Sequence, residues 1–279
     1  MAMRKKGSHK ILYSIFGWTV VLLISFPLLW MILTSLKPQS ELFLIPPSLL
    51  PSEITFEHYV RLIHETPFLT YLKNSIILAV GTTVVVVVIA TLGAHSLVRF
   101  SYPGRKSLAV LVLYTYLLPS VVLIIPLYLL MVKVGLSNTL VSLIIAYTTF
   151  ALPFALWLLR SFMAAIPADL EAAAMIDGAT RMQAFFDVIL PQAIPGIIST
   201  ALFTAILAWN EYLFAMVLIN NDEVRPLTTG IMSMLVSSFN IEWSLLMAAS
   251  VMMSVPLIIV FAFLQKYLTR GFGAGAIKG

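Results

Sequence analysis

The sequence predicts an all-α membrane protein with six transmembrane helices. Of its 279 residues, 60% are hydrophobic and only 10% are charged, whereas a soluble domain contains about 25% charged residues. The apolar residues form long runs, and a helix of about 20 such residues crosses a hydrocarbon core about 30 Å thick. Cysteine is absent, so disulfides and thiolate metal sites are excluded.

Six apolar runs are long enough to be spans. They cover residues 11–36, 75–97, 108–132, 139–159, 196–219 and 245–268. The first run exceeds the length of a signal peptide and has no small-residue cleavage site, so we expect it to be retained. In the third run, Pro119 and Pro126 each remove a backbone donor and predict a bend or break.

The segments between the runs are more polar. We expect external loops at residues 37–73 and 220–243, a loop on the other side of the membrane at residues 161–193, and a flexible tail at residues 269–279, all within one transmembrane domain over residues 1–279. If both termini are cytoplasmic, 12 of the 17 Lys and Arg residues lie inside. This distribution obeys the positive-inside rule.

The polar segment 161–193 has the local pattern of two short helices joined by a tight turn. Pro167 suits the first helical position, and Asp169 and Glu171 then lie in the first turn. Gly178 can end this helix, and Thr180 can cap the next one. The second helix carries an apolar stripe, formed by Met182, Phe185, Phe186, Ile189 and Leu190. We expect Pro191, which breaks the helical pattern, to end this helix.

Three blocks of this segment resemble a known family. Glu171-Ala172-Ala173, Asp177-Gly178-Ala179 and the Ile-Leu-Pro of residues 189–191 resemble the EAA loop of permease subunits of bacterial ABC importers. In that family the first short helix is a coupling helix that docks into a cleft of a separate ATPase subunit. The alternative from periodicity alone is an amphipathic hairpin on the membrane surface.

The resemblance assigns roles to individual residues of the loop. Glu171 would form polar contacts in the ATPase cleft, and Asp177 and Gly178 would fix the turn. The second helix would anchor the loop to the helix bundle. The implied coupling residues are Asp169, Glu171, Ala172, Ala173, Asp177, Gly178 and Ala179.

Glu211 is the only carboxylate well inside an apolar span. A charge there is costly unless it faces protein or water, so Glu211 is a candidate for the substrate pathway together with Thr204 and Asn210. An equally good interpretation is that Asn210 and Glu211 bond to another helix or subunit. The sequence Trp-Asn-Glu-Tyr at residues 209–212 also resembles a segment of sugar-importer permeases, and Tyr114 is a candidate for stacking on a sugar.

The absence of other motifs excludes metal, nucleotide and nucleic-acid binding sites of the usual kinds. The four histidines, His9, His58, His64 and His95, are scattered, and no catalytic or metal-binding constellation is visible. No GxxxxGK[ST] motif occurs, so ATP and Mg²⁺ would be bound by a partner ATPase, with no cofactor on this chain. The sequence has no patch of basic and aromatic residues that would suggest nucleic-acid binding. We therefore expect a translocase subunit rather than an enzyme.

The glycine-rich end of the chain carries a second resemblance. Residues 270–279 resemble the ending of maltose-type (MalG-like) permease subunits, in which the tail reaches the ATPase interface. This implies ATPase contacts for Gly273, Gly275 and Lys278.

Together the resemblances imply the type I (MetI-like) importer fold and a carbohydrate ABC importer of the inner membrane of a bacterial or archaeal cell, specific for a di- or oligosaccharide such as maltose or trehalose. The implied partners are a second, MalF-like permease, two ATPase subunits and an extracytoplasmic solute-binding protein. Two alternatives remain open. One is a permease for glycerol 3-phosphate or another polar solute, and the other is a self-sufficient secondary transporter that uses Glu211.

Overall fold

The computed structural model describes residues 6–46, 48–237 and 242–276, with side chains at 13–46, 48–234 and 242–265. Within these ranges the chain is helical and has no β-strand. The helices are α1 (Lys6–Ser35), α2 (Glu57–His64), α3 (Phe68–Arg99), α4 (Arg105–Tyr116), α5 (Ser120–Lys133), α6 (Leu140–Ala165), α7 (Ala168–Ile176), α8 (Arg181–Asn210), α9 (Leu213–Leu218), α10 (Leu227–Ser237) and α11 (Trp243–Ala276).

Long apolar helices confirm the prediction of an all-α membrane protein. In the described part of the chain, α1, α3, α6, α8 and α11 are each long and apolar enough to span a membrane. A sixth span is made if α4 and α5 are counted together, although their axes are bent by 98°. The bend follows from Pro119, which precedes the first residue of α5 and cannot donate a backbone hydrogen bond. Pro126, in contrast, lies inside α5 without ending it.

The chain divides into two compact units. The first contains the described residues of 1–68 and 233–255. Here the carbonyl of Lys37 lies 3.0 Å from Nε2 of His58 and accepts a hydrogen bond from Oγ of Ser244 at 3.2 Å. The Arg61 guanidinium donates to both carboxylate oxygens of Glu242, at 2.8 and 3.2 Å. The predicted external loop at 37–73 is therefore a folded segment that holds α2 and the start of α3.

The second unit contains the described residues of 69–232 and 256–279. Its core is formed by α3, α6 and α8, which approach one another closely because many of the side chains between them are alanines. The buried alanines of this core are Ala90, Ala94, Ala151, Ala155 and Ala193. The helix α7 and the first turns of α8 lie at one end of this core.

The fifth span differs from the sequence prediction at both ends. Pro191 was expected to end the second short helix, but α8 continues through Pro191 and Pro195. A π-helical stretch, Ala184–Ile189, directly precedes this part of the helix. Such a wider turn relaxes the regular bonding pattern where proline provides no donor. At the other end, the helix stops at Asn210 and a separate helix, α9, follows, so the predicted continuous span 196–219 is wrong.

The last helix is longer than predicted. The span 245–268 lies within α11, whose backbone stays helical to Ala276. Gly273 and Gly275 are therefore part of a helix, so the predicted tail has helical backbone up to Ala276. Lys278 lies outside the described residues.

The close packing of α6 and α8 yields a stability prediction. A Cβ atom at Gly196 would lie 2.5 Å from Cγ and 2.8 Å from Cβ of Phe162. The Cβ atom of Phe162 can move away only if the backbone of α6 moves with it. Overpacking costs about 1–3 kcal/mol, which outweighs the gain of roughly 1 kcal/mol from replacing a helical glycine by alanine. Gly196→Ala should therefore lower the thermal unfolding midpoint of the purified protein in detergent.

Gly17→Ala is the matched control, because nothing lies within 4 Å of a Cβ at that position. It should leave the midpoint unchanged or raise it. A Gly196→Ala protein as stable as the unmodified chain would contradict this account of the helix packing.

Candidate functional site

The polar segment folds into a helical hairpin, which we call the α7–α8 hairpin: α7, the turn at residues 177–180 and the first turns of α8. Gly178 has φ +95°, in the left-handed region. The N–H of Gly178 donates to the carbonyl of Met175 at 3.2 Å, and the N–H of Ala179 donates to that of Ala174 at 3.0 Å. These two bonds form a Schellman motif, which satisfies the last carbonyls of α7. Gly178 therefore ends the helix as predicted.

The second arm of the hairpin begins with a reciprocal cap. Oγ1 of Thr180 accepts a hydrogen bond from the N–H of Gln183 at 3.3 Å, and Oε1 of Gln183 accepts one from the N–H of Thr180 at 2.7 Å. This capping box fixes the direction in which α8 leaves the turn. The cap at Thr180 was predicted, whereas Pro167 is the residue before α7 rather than its first helical residue.

The two sides of α7 have different environments. Asp169, Ala172, Ala173 and Ile176 are exposed and follow one another at the helical spacing of a single face. Three of these side chains are short or polar, and Ile176 is 86% exposed. A single exposed apolar side chain is common on protein surfaces, so Ile176 counts here only as part of this face. Its role was not predicted, although its spacing of four residues from Ala172 places it on the same face.

Glu171 lies on the opposite side of α7 and is only 5% exposed. Its Oε2 is 3.1 Å from Nε of Arg99, and its Oε1 is 3.5 Å from Nε2 of His95. Both partners belong to the last turns of α3. Within this chain Glu171 therefore forms an internal ion pair, and its expected polar contact with an ATPase stays a prediction. The reason is the helical register, because residue 171 is one position before the exposed residue 172 and points about 100° away from it.

Arg99 and His95 were not predicted as site residues. From the sequence alone, Arg99 counts only as a connector charge and His95 only as an isolated histidine. Their separation of four residues, at the end of a span next to a short connector, is the signal that places both on one helical face.

The other coupling candidates lie in the turn. Asp177 is the residue that follows α7, and its N–H donates to the carbonyl of Ala173 at 2.9 Å. Asp177 and Gly178 are exposed, and Ala179 is partly buried. The structure thus brings the predicted turn residues together at the tip of the hairpin.

The predicted substrate-pathway residues lie at different places. Thr204 lines a cleft of about 260 Å³, together with the aromatic side chains of Tyr116, Phe154 and Phe203. Tyr114 is not part of this lining and is 62% exposed. Asn210 is exposed, and its amide donates to the carbonyl of Ile206 in its own helix at 2.8 Å.

Glu211 occupies the break between α8 and α9. Its carboxylate accepts hydrogen bonds from the N–H groups of Phe214 and Ala215, at 3.1 and 3.3 Å. Its backbone carbonyl accepts one from Oγ1 of Thr228 at 2.8 Å. Glu211 therefore satisfies the free donors at the start of α9, as a capping residue does. It lies beyond the end of α8 and therefore shares no helical face with Thr204.

The described residues contain no group of three His, Asp or Glu side chains that could hold a metal ion. The features with the best-defined geometry are thus the α7–α8 hairpin, with its exposed small-residue face, and the aromatic cleft.

Comparison with known proteins agrees with this arrangement. Residues 87–273 match the family described as "Binding-protein-dependent transport system inner membrane component". The chain is 38% identical to the diacetylchitobiose uptake system permease protein DasC of Streptomyces coelicolor, over 91% of this chain and 92% of that protein. It is 36% identical to the trehalose/maltose transport system permease protein MalG of Thermococcus litoralis, over 99% of this chain and the whole of that protein.

A solved structure extends the comparison to the fold. A chain in the crystal structure of a bacterial ABC transporter involved in import of the acidic polysaccharide alginate superimposes with a TM-score of 0.79 at 25% identity, covering 96% of this chain and 99% of that chain. The predicted type I (MetI-like) importer fold is thereby confirmed. Members of this family are transport components rather than enzymes. The chain belongs to the family of inner membrane components of binding-protein-dependent transport systems and is a permease subunit of an ABC importer.

Proposed function

We propose that this permease subunit imports a di- or oligosaccharide and that the exposed face of α7 docks into a separate ATPase subunit. The observation that carries the proposal is the geometry of this face: small side chains at positions 172 and 173, flanked by Asp169 and Ile176 and ended by a rigid glycine turn. A slim face of this kind can enter a groove without steric conflict. Its helix is too short to be a span.

The orientation follows from charge. We propose that the termini and the α7–α8 hairpin are cytoplasmic, where an ATPase binds ATP and Mg²⁺, and that the polar segments at 37–73 and 220–243 face outward toward a solute-binding protein. The distribution of Lys and Arg residues supports this orientation. The family description, which names binding-protein-dependent transport, supports the partner.

A second permease subunit is the remaining partner. None of the most apolar window of α1 is buried within the chain, so lipid or another protein must cover this helix. We propose that a MalF-like permease covers part of it and that the two subunits enclose the pathway between them.

The carbohydrate substrate is proposed from two independent features. The relatives named above are permeases for diacetylchitobiose and for trehalose or maltose. In this chain, Tyr116, Phe154 and Phe203 line one cleft with Thr204, and aromatic faces with a nearby hydroxyl suit the apolar face and hydroxyl edge of a pyranose.

Gly273, Gly275 and Lys278 remain proposed ATPase contacts by resemblance alone.

Uptake assays test the substrate class. The complete assembly, reconstituted in liposomes with its ATPase and binding protein, should take up labelled trehalose, maltodextrin or diacetylchitobiose when ATP is supplied to the ATPase side. Glycerol 3-phosphate should not be transported. Transport of glycerol 3-phosphate but of none of the sugars would instead support the polar-solute alternative.

Liposomes that contain the purified chain alone, under a proton gradient, test the secondary-transporter alternative. We expect no uptake, because the Glu211 carboxylate is engaged by the N–H groups of α9. Gradient-driven uptake by the chain alone would overturn the proposed function.

The turn at Gly178 yields a separate prediction. A Cβ at this position meets no atom within 4 Å, so Gly178→Val introduces no clash, but it strains the left-handed backbone by about 1–2 kcal/mol. The assembly should form and hydrolyse ATP, while the sugar taken up per ATP should fall by roughly an order of magnitude, because this strain shifts the hairpin from its native turn. The measurement is parallel uptake and ATPase activity in liposomes.

Gly178→Asn is the matched variant, because asparagine tolerates the left-handed region better than a β-branched residue. It should retain more coupling than Gly178→Val. Equal, full coupling in both variants would show that the turn geometry does not matter for transport.

A further inference from the structure

We propose that Arg99 is a positioning residue for coupling, which fastens the inner side of α7 to the end of α3 and makes α3 a carrier of the movement of α7. The inference rests on the proposed function of α7 as the element that the ATPase moves. Glu171 then holds α7 to α3 from the inward side, whereas the exposed residues 169, 172, 173 and 176 face outward.

One guanidinium group holds two points at the start of the α7–α8 hairpin. Nε of Arg99 is 3.1 Å from Oε2 of Glu171, and Nη2 of Arg99 donates to the carbonyl of Ile166 at 2.8 Å. Ile166 directly precedes Pro167, the residue before α7, and Glu171 is in the first turn of α7. Arg99 therefore fixes both the approach to α7 and its rotation about its own axis.

The end of α3 also contacts the second arm of the hairpin. The ring of His95 lies 4.6 Å from that of Phe185, between centroids, and Phe100 lies beneath the guanidinium of Arg181 at 5.6 Å. Phe185 and Arg181 belong to the first turns of α8. Both arms thus converge on residues 95–100, so a displacement of the hairpin reaches α3 as well as the continuous helix α8.

Burial makes the ion pair difficult to separate. The side chains of Arg99 and Glu171 are 10% and 7% exposed, so water has little access to either partner. The atoms of the pair lie at ion-pair distance without the alignment of a hydrogen bond, and their charges are therefore the main attraction. Removing one partner leaves an uncompensated buried charge, which is more destabilising than the loss of both.

The charge dependence of this contact distinguishes an internal role of Glu171 from contact with the ATPase. If Glu171 pairs with Arg99, exchanging the two charges preserves the attraction. If Glu171 instead contacts the ATPase, the exchange places an arginine in the ATPase cleft and cannot restore function.

The experiment uses the complete assembly in liposomes with the variants Arg99→Gln, Glu171→Gln, Arg99→Lys and the exchange Arg99→Glu/Glu171→Arg. Assembly, ATP hydrolysis and sugar uptake are measured for each. Uptake per ATP should fall by roughly 2- to 30-fold in both glutamine variants, as for other residues that transmit coupling. Arg99→Lys should retain most of the coupling, and the exchange should exceed both single glutamine variants.

Arg105→Gln is the matched control. Arg105 is half-buried, donates to the carbonyl of Phe100 and has no ion pair with Glu171, so its loss should leave uptake per ATP unchanged. If the glutamine variants fail to assemble, assembly itself becomes the readout, and the exchange should restore it.

The proposal is overturned if Arg99→Gln couples normally, or if the exchange is no better than the single variants in either readout. Failure of the proposed function has a different signature, because the unmodified assembly would then take up no sugar.

Discussion

Hydrocarbon provides no hydrogen-bond partner for a backbone group or a charge, and this constraint determines most of the structure. Every interruption of a span therefore needs its own internal donors and acceptors. At the break between α8 and α9, the carboxylate of Glu211 accepts from N–H groups of the next helix. At the end of α3, the charge of Arg99 is matched by that of Glu171. Glu211 and Arg99 are thus both located where a regular helix ends.

The α7–α8 hairpin obeys the same constraint and also presents a free surface. Its inward side is closed by the ion pair of Glu171, and its turn is closed by a Schellman motif and a capping box. The outward side carries small side chains and one exposed isoleucine, and no other part of the described chain covers them. A rigid element with one unpartnered face is suited to transmit a displacement, because a force on that face moves the whole hairpin rather than bending it.

The sequence predicted most of the apolar helices and the hairpin, because hydropathy and capping are local properties. Gly178 and Thr180 have their predicted roles for this reason. The continuation of α8 through Pro191 was missed, because one proline's missing donor can be accommodated by a π-helical stretch that no local pattern indicates. The inward position of Glu171 was also missed. Its partner, Arg99, is distant in sequence, and the family resemblance indicated a contact with another subunit.

Labelling of single cysteines tests the central claim that α7 docks through one face. The chain contains no cysteine, so Ala172→Cys and Ile176→Cys each introduce a unique exposed thiol on the docking face. A maleimide reagent added from the cytoplasmic side should modify both in the permease pair alone, and the ATPase subunits should slow modification of both. Ser161→Cys, at an exposed position outside α7, corrects for general access. Unchanged modification of residues 172 and 176 in the complete assembly would contradict the account.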